Sequence, residues 1–82
     1  MNMYVGNLNY KVREGDLEQA FGAYGAISSV KVIKDRETNK SKGFAFVEME
    51  NSDEAAEAMN ALNGSEFMGR QLVIKEALPK KM

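Results

Sequence analysis

Lys42-Gly43-Phe44-Ala45-Phe46-Val47-Glu48-Met49 is the most apolar strand-like run in the chain, and its reading decides the fold. Ala45, Val47 and Met49 fall on one side of such a strand, Phe44 and Phe46 on the other. Met3-Tyr4-Val5-Gly6-Asn7 repeats the pattern near the start, with Met3 and Val5 opposite Tyr4. A strand apolar on both sides is either buried between two layers or carries rings on an open face. Periodicity alone leaves both readings open for Phe44 and Phe46.

The surrounding elements narrow the choice. Over residues 14–24, Leu17, Ala20, Phe21 and Tyr24 recur at three and four, which predicts a helix. Gly25 is expected to end it in a left-handed conformation. Arg13 is a poor cap, so fraying is expected at its start. Residues 29–34 alternate as a strand around Val30 and Val32, and 35–41 read as a polar hairpin loop. A second helix follows a cap at Asn51 or Ser52, turns Ala55, Ala58, Met59 and Leu62 inward, and ends at Asn63-Gly64. Residues 70–77 complete the set as a strand with Leu72 and Ile74 on one face.

The order β-α-β-β-α-β is that of an α+β, ferredoxin-like sandwich: a four-stranded antiparallel sheet with two helices on one face. Two helices of about eleven residues each cover only one side of such a sheet. The outer strands obey apolar-in, polar-out alternation, with Lys31 between Val30 and Val32, and Lys75 after Ile74. No residues remain to cover the side bearing Tyr4, Phe44 and Phe46. Flat rings on an open face suit nucleic-acid bases, because every base offers a π-face.

Composition removes most chemistry. The 82 residues contain neither cysteine nor histidine, so thiolate metal sites, thiol nucleophiles and the commonest general base are excluded. No cofactor, metal ligand or catalytic residue is expected. The N-terminal residues lack the basic-then-apolar run of a signal peptide, and no stretch is long and apolar enough to span a membrane. A cytoplasmic protein without membrane contact is the expectation. Net charge is −1, against the simplest nucleic-acid signature of a strongly basic domain. The charge is nevertheless segregated. Glu14, Asp16 and Glu18 mark the first helix and Asp53, Glu54 and Glu57 the second, whereas Lys34, Arg36, Lys40 and Lys42 crowd the central hairpin and Lys75, Lys80 and Lys81 the end.

Residues 42–49 resemble the signature octamer of the RNA-recognition motif family in seven of eight positions, Lys/Arg-Gly-Phe/Tyr-Gly/Ala-Phe-Val-x-Phe/Tyr. Met3-Tyr4-Val5-Gly6-Asn7-Leu8 is similar to the family's partner hexamer, and the chain resembles the stand-alone single-motif RNA-binding proteins of bacteria. The resemblance implies that Tyr4 and Phe46 stack on successive bases and that Phe44 packs against sugar. It implies that Lys42 contacts phosphate. Arg36, Lys40 and Lys75, with Lys34, Lys80 and Lys81, would add backbone attraction, although loop lysines also read as solubilisers. Asn7, Lys31 and Ile33 are further candidates on the sheet face. Two departures stand out. Met49 replaces an aromatic at an inward place and bears on packing. Glu48 faces outward beside the rings and repels phosphate.

The expected extent is a motif over residues 1–79 followed by a short basic end, 80–82. The expected partner is single-stranded RNA, bound by a monomer rather than a dimer in a post-transcriptional role. Single-stranded DNA and a protein-binding variant of the motif are the alternatives. An acylphosphatase-like enzyme shares the topology, but Asn7-Leu8-Asn9-Tyr10-Lys11 does not look like its phosphate loop. Tyr10 and Tyr24 are expected to be structural.

Overall fold

The computed structural model describes residues 1–77, so the expected 79/80 boundary, Lys80 and Lys81 lie outside the described residues. The elements are β1 (Asn2–Gly6), α1 (Glu14–Gly22), β2 (Ile27–Lys34), β3 (Ser41–Met49), α2 (Ser52–Leu62), β4 (Glu66–Phe67), β5 (Arg70–Gln71) and β6 (Val73–Ala77). β2, β3, β1 and β6 form one sheet in that order, every neighbour antiparallel. The ferredoxin-like expectation holds.

Alternation sets the inner face. Met3 and Val5 of β1, Ala45, Val47 and Met49 of β3, Val32 of β2 and Ile74 of β6 are buried together. Leu17 and Phe21 of α1 and Ala55 and Ala58 of α2 close over them, as the three-and-four spacing requires. The small side chains of α2 let that helix lie close to the strands, while Phe21 fills the volume under α1. The molecule is 18 Å across its thinnest axis, which accommodates one sheet and one helix layer but no third.

Helix ends show where local reading succeeds and fails. Asn51 caps α2, its side-chain oxygen accepting from the Glu54 N–H at 3.0 Å. The fraying expected at α1 is countered from inside the helix: the Asp16 carboxylate accepts from the Arg13 N–H at 2.9 Å, half of a capping box. Glu14 in the same turn accepts from the Val32 N–H at 3.2 Å, tying the helix to the exposed edge of β2. A bonded edge N–H is unavailable to a second strand, so this carboxylate also protects the sheet.

Gly25 is not left-handed, contrary to expectation. The helix closes with a tight turn in which the Tyr24 N–H donates to the Phe21 carbonyl at 3.0 Å. Glycine is required there by crowding, since a Cβ would lie 2.7 Å from the Glu54 Cβ.

The expected strand over 70–77 is two elements. Arg70–Gln71 folds back on Glu66–Phe67 as a small separate hairpin, and only Val73–Ala77 joins the main sheet. Met68 and Gly69 at the turn have φ of 52° and 88°, the mirror-image geometry that matches hairpin twist. The Leu72 N–H donates to the Ser65 carbonyl at 2.9 Å instead of to β1. Leu72 and Ile74 still share the buried face, so the parity survived the break.

Candidate nucleic-acid interface

The cross-strand register builds the open face row by row. Lys31 stands opposite Phe46, Phe46 opposite Tyr4, and Tyr4 opposite Lys75. Directly opposed residues share a face, so the central row reads cation, ring, ring, cation across all four strands. On one side lie Ser29, Glu48, Asn2 and Ala77; on the other, Phe44 and the pair Gly6 and Val73. The face is therefore graded along its strands from an acidic row through the ring row to an apolar row.

The three rings form a triangle. Centroids of Tyr4 and Phe44 lie 5.7 Å apart, Tyr4 and Phe46 5.9 Å, and Phe44 and Phe46 6.2 Å, with interplanar angles of 33°, 65° and 87°. Such tilted and edge contacts are favourable and hold each ring's orientation. Phe46 is 40% exposed, whereas Tyr4 and Phe44 are half-buried by their neighbours. Tyr4 lies over Gly6: a Cβ at Gly6 would sit 2.7 Å from the Tyr4 Cε1 and Oη. Only the missing side chain at Gly6 lets that ring rest on the backbone.

The basic candidates are distributed around this triangle. Lys31 and Lys75 bracket it, and Lys42 is exposed at the head of β3. Arg36 and Lys40 are exposed on the β2–β3 loop, which is organised by Asp35. The Asp35 carboxylate accepts from the backbone N–H of Glu37 at 2.8 Å and of Thr38 at 3.2 Å, and these bonds, helped by the Lys42 charge, hold its carboxyl below the usual range. Ile33 is half-buried at the same end of β2.

Asn7 differs from what its place in the hexamer suggested. At φ 57° it ends β1, and its amide is engaged within the chain. Nδ2 donates to the Gln71 carbonyl at 2.6 Å, and Oδ1 accepts from the Arg70 guanidinium at 3.0 Å. Its visible work is to fasten the small hairpin to the end of β1, and Asn9 assists by donating to the Met68 carbonyl at 3.1 Å.

Two surface residues escaped the sequence reading. Val73, 40% exposed, stands on the open face opposite Gly6; extending the Leu72–Ile74 alternation would have placed it there. Tyr10 was expected to be structural but is 66% exposed, because it sits in a loop without periodicity. Among the described residues there is no cluster of His, Cys, Asp and Glu able to hold a metal ion, and no helix is long and apolar enough to cross a membrane.

Comparison with known proteins gives the family and several relatives. The chain is 46% identical over 81 residues to the "Putative RNA-binding protein RbpA" of Synechocystis sp., covering 99% of this chain and 80% of that one. Among solved structures, the crystal structure of RNA-binding protein PG1 superposes with a TM-score of 0.95 at 54% identity, covering 100% of this chain and 99% of the other. The Sxl-lethal protein/RNA complex superposes with a TM-score of 0.90 at 28% identity, covering 98% of this chain and 48% of that one. The sequence profile described as the RNA recognition motif matches residues 3–73, and the chain belongs to that family.

Proposed function

We propose that this chain is a single-stranded RNA-binding module, acting as a monomer in a post-transcriptional role, with Tyr4 and Phe46 stacking on successive bases. The observation that carries the reading is the row Lys31, Phe46, Tyr4, Lys75: two rings side by side with a cation at each end. Bases stacked on the rings bring their phosphates toward the ammonium groups, so stacking and charge act on the same strand. Phe44 completes the triangle against sugar, and Lys42, Arg36 and Lys40 extend the field along the strand. Asn7 contributes indirectly, through the hairpin it fastens. Family membership supports the reading, as does the likeness to a relative solved as a protein/RNA complex. A protein-binding role fits less well, because all three rings are retained and grouped.

Glu48 and the net charge of −1 limit the electrostatic share, so stacking supplies most of the affinity. The test is titration of Tyr4→Ala and Phe46→Ala with a random-sequence RNA pool at fixed salt, beside the same pool as DNA. Each substitution weakens RNA binding by about 1–3 kcal/mol with the fold intact. Unchanged affinity in both refutes the platform. Tighter binding of the DNA pool moves the assignment to single-stranded DNA.

A further inference from the structure

Glu48 has no role in a platform that grips by stacking and positive charge. A carboxylate on the face that meets a polyanion lowers affinity for every strand at low salt. Other acids beside the sheet are committed within the chain: Glu14 accepts from the Val32 N–H, Asp16 from the Arg13 N–H, and Asp35 from the N–H groups of Glu37 and Thr38. Glu48 is exposed, and its hydrogen bond among the described residues is a long one, from the Ser29 hydroxyl to Oε1 at 3.4 Å. A carboxylate has two oxygens with about four lone-pair sites, so most of this acceptor capacity is open to a ligand.

The strand register fixes where that capacity lies. Glu48 follows Phe46 by two residues on β3, which puts both on one face about 7 Å apart. It is also the diagonal neighbour of Tyr4, which is the cross-strand partner of Phe46. The rest of the open face is poorly equipped to tell bases apart. Phe44, Gly6 and Val73 carry no hydrogen-bonding side chain, and Lys31 and Lys75 carry donors only. The anionic acceptor beside the rings is Glu48, standing between Ser29 and Asn2.

A group that only accepts discriminates sharply among the four bases. The Watson–Crick edge of guanine presents N1–H and N2–H side by side, two parallel donors for the two oxygens of one carboxylate. Adenine and cytosine each present one amino group beside a bare ring nitrogen, whose lone pair would face the second oxygen. Uracil has a single N–H flanked by two carbonyls. Guanine alone satisfies both oxygens at once, and unstacked bases of a single strand are read on this edge.

We propose that Glu48 selects guanine for the base stacked on Phe46, its carboxylate accepting from N1–H and N2–H together. The same group then weakens binding of most sequences and strengthens binding of one base. This inference rests on the single-strand-binding reading above. The test uses uridine strands of about five nucleotides in which one guanine, inosine or adenine is placed in turn at each interior position. Wild type and Glu48→Gln are titrated at fixed salt, with folding checked by thermal denaturation. Wild type binds the best guanine strand about 5- to 150-fold more tightly than the all-uridine strand. Inosine, which keeps N1–H but lacks the amino group, recovers only part of that preference. In Glu48→Gln the guanine-to-uridine ratio falls toward one, and adenine gains, because its N6–H and N1 match an amide carbonyl and amino group. The ratio is the readout, since losing the charge raises affinity for guanine-free strands by itself. A guanine preference that survives Glu48→Gln overturns the proposal, and inosine bound as tightly as guanine overturns the paired contact. Wild type that binds all strands equally, yet loses them on Phe46→Ala, keeps the platform and overturns the selection. A guanine preference left at full affinity by Phe46→Ala overturns the platform instead, and with it the placement of guanine on that ring.

Discussion

Gly6→Ala tests the ring geometry without touching a ring. Gly6 does not have a positive φ, so alanine fits the backbone without strain. The added methyl, however, would lie 2.7 Å from two atoms of the Tyr4 side chain and 2.9 Å from a third, well inside contact distance. Backbone pairing of Gly6 with Val73 holds the strand, so Tyr4 must move. Displacement loosens its contacts with Phe44 and Phe46, at about 0.5–1.5 kcal/mol each, against a gain of about 0.4–1 kcal/mol from a stiffer unfolded chain. The domain stays folded, with Tm lowered by about 2–15 °C. RNA binding weakens by about 1–2 kcal/mol, most of one stacked base. The decisive measurement is a double-mutant cycle by anisotropy titration at fixed salt. In a Tyr4→Ala background, Gly6→Ala changes affinity by no more than about 0.3 kcal/mol, because the ring it displaces is gone. Additive losses in the cycle, or wild-type binding by Gly6→Ala alone, refute the claim that this glycine seats a base-stacking ring.

Other perturbations separate charge, edge and turn. Glu48→Gln removes the outward carboxylate from the ring-bearing strand, so RNA affinity rises in low-salt titration; a fall would show that Glu48 contributes a contact. The Glu14 carboxyl is held below its usual range by its own backbone N–H first and that of Val32 second, with Lys34 and Arg13 adding charge. Its ionised form is favoured on folding, so the stabilisation is present at neutral pH and is lost as pH falls through the lowered value. The Tm difference between wild type and Glu14→Gln accordingly closes as pH falls from neutral through that lowered value. Met68→Asn relieves a bulky side chain at φ 52° in the small hairpin and raises stability by roughly 0.5–1 kcal/mol in denaturant unfolding. Asn51→Ala costs about 1 kcal/mol through loss of the α2 cap.

Much of the molecule was legible from residue order because the deciding interactions are local or periodic. Alternation in Phe44–Met49 and Met3–Val5, helical spacing in Leu17–Phe21 and Ala55–Leu62, and the Asn51 cap each depend on neighbours within a few positions. Two helices against four strands then left one face open. The order of elements and the sidedness of Tyr4, Phe44 and Phe46 follow from the sequence by itself. What the chain alone could not decide depends on contacts between distant residues. The α1 cap needs Asp16 turned back on Arg13, and the crowding that excludes a side chain at Gly25 comes from Glu54 on the other helix. Asn7 is consumed by Arg70 and Gln71, which arrive only when the small hairpin folds against β1. Tyr10 carries no periodic signal, and its exposure rests on Gly43, which lies 33 residues away. The rings were readable because a strand must put successive side chains on opposite faces; their seats, partners and neighbouring cations were not, because only tertiary packing brings those residues together.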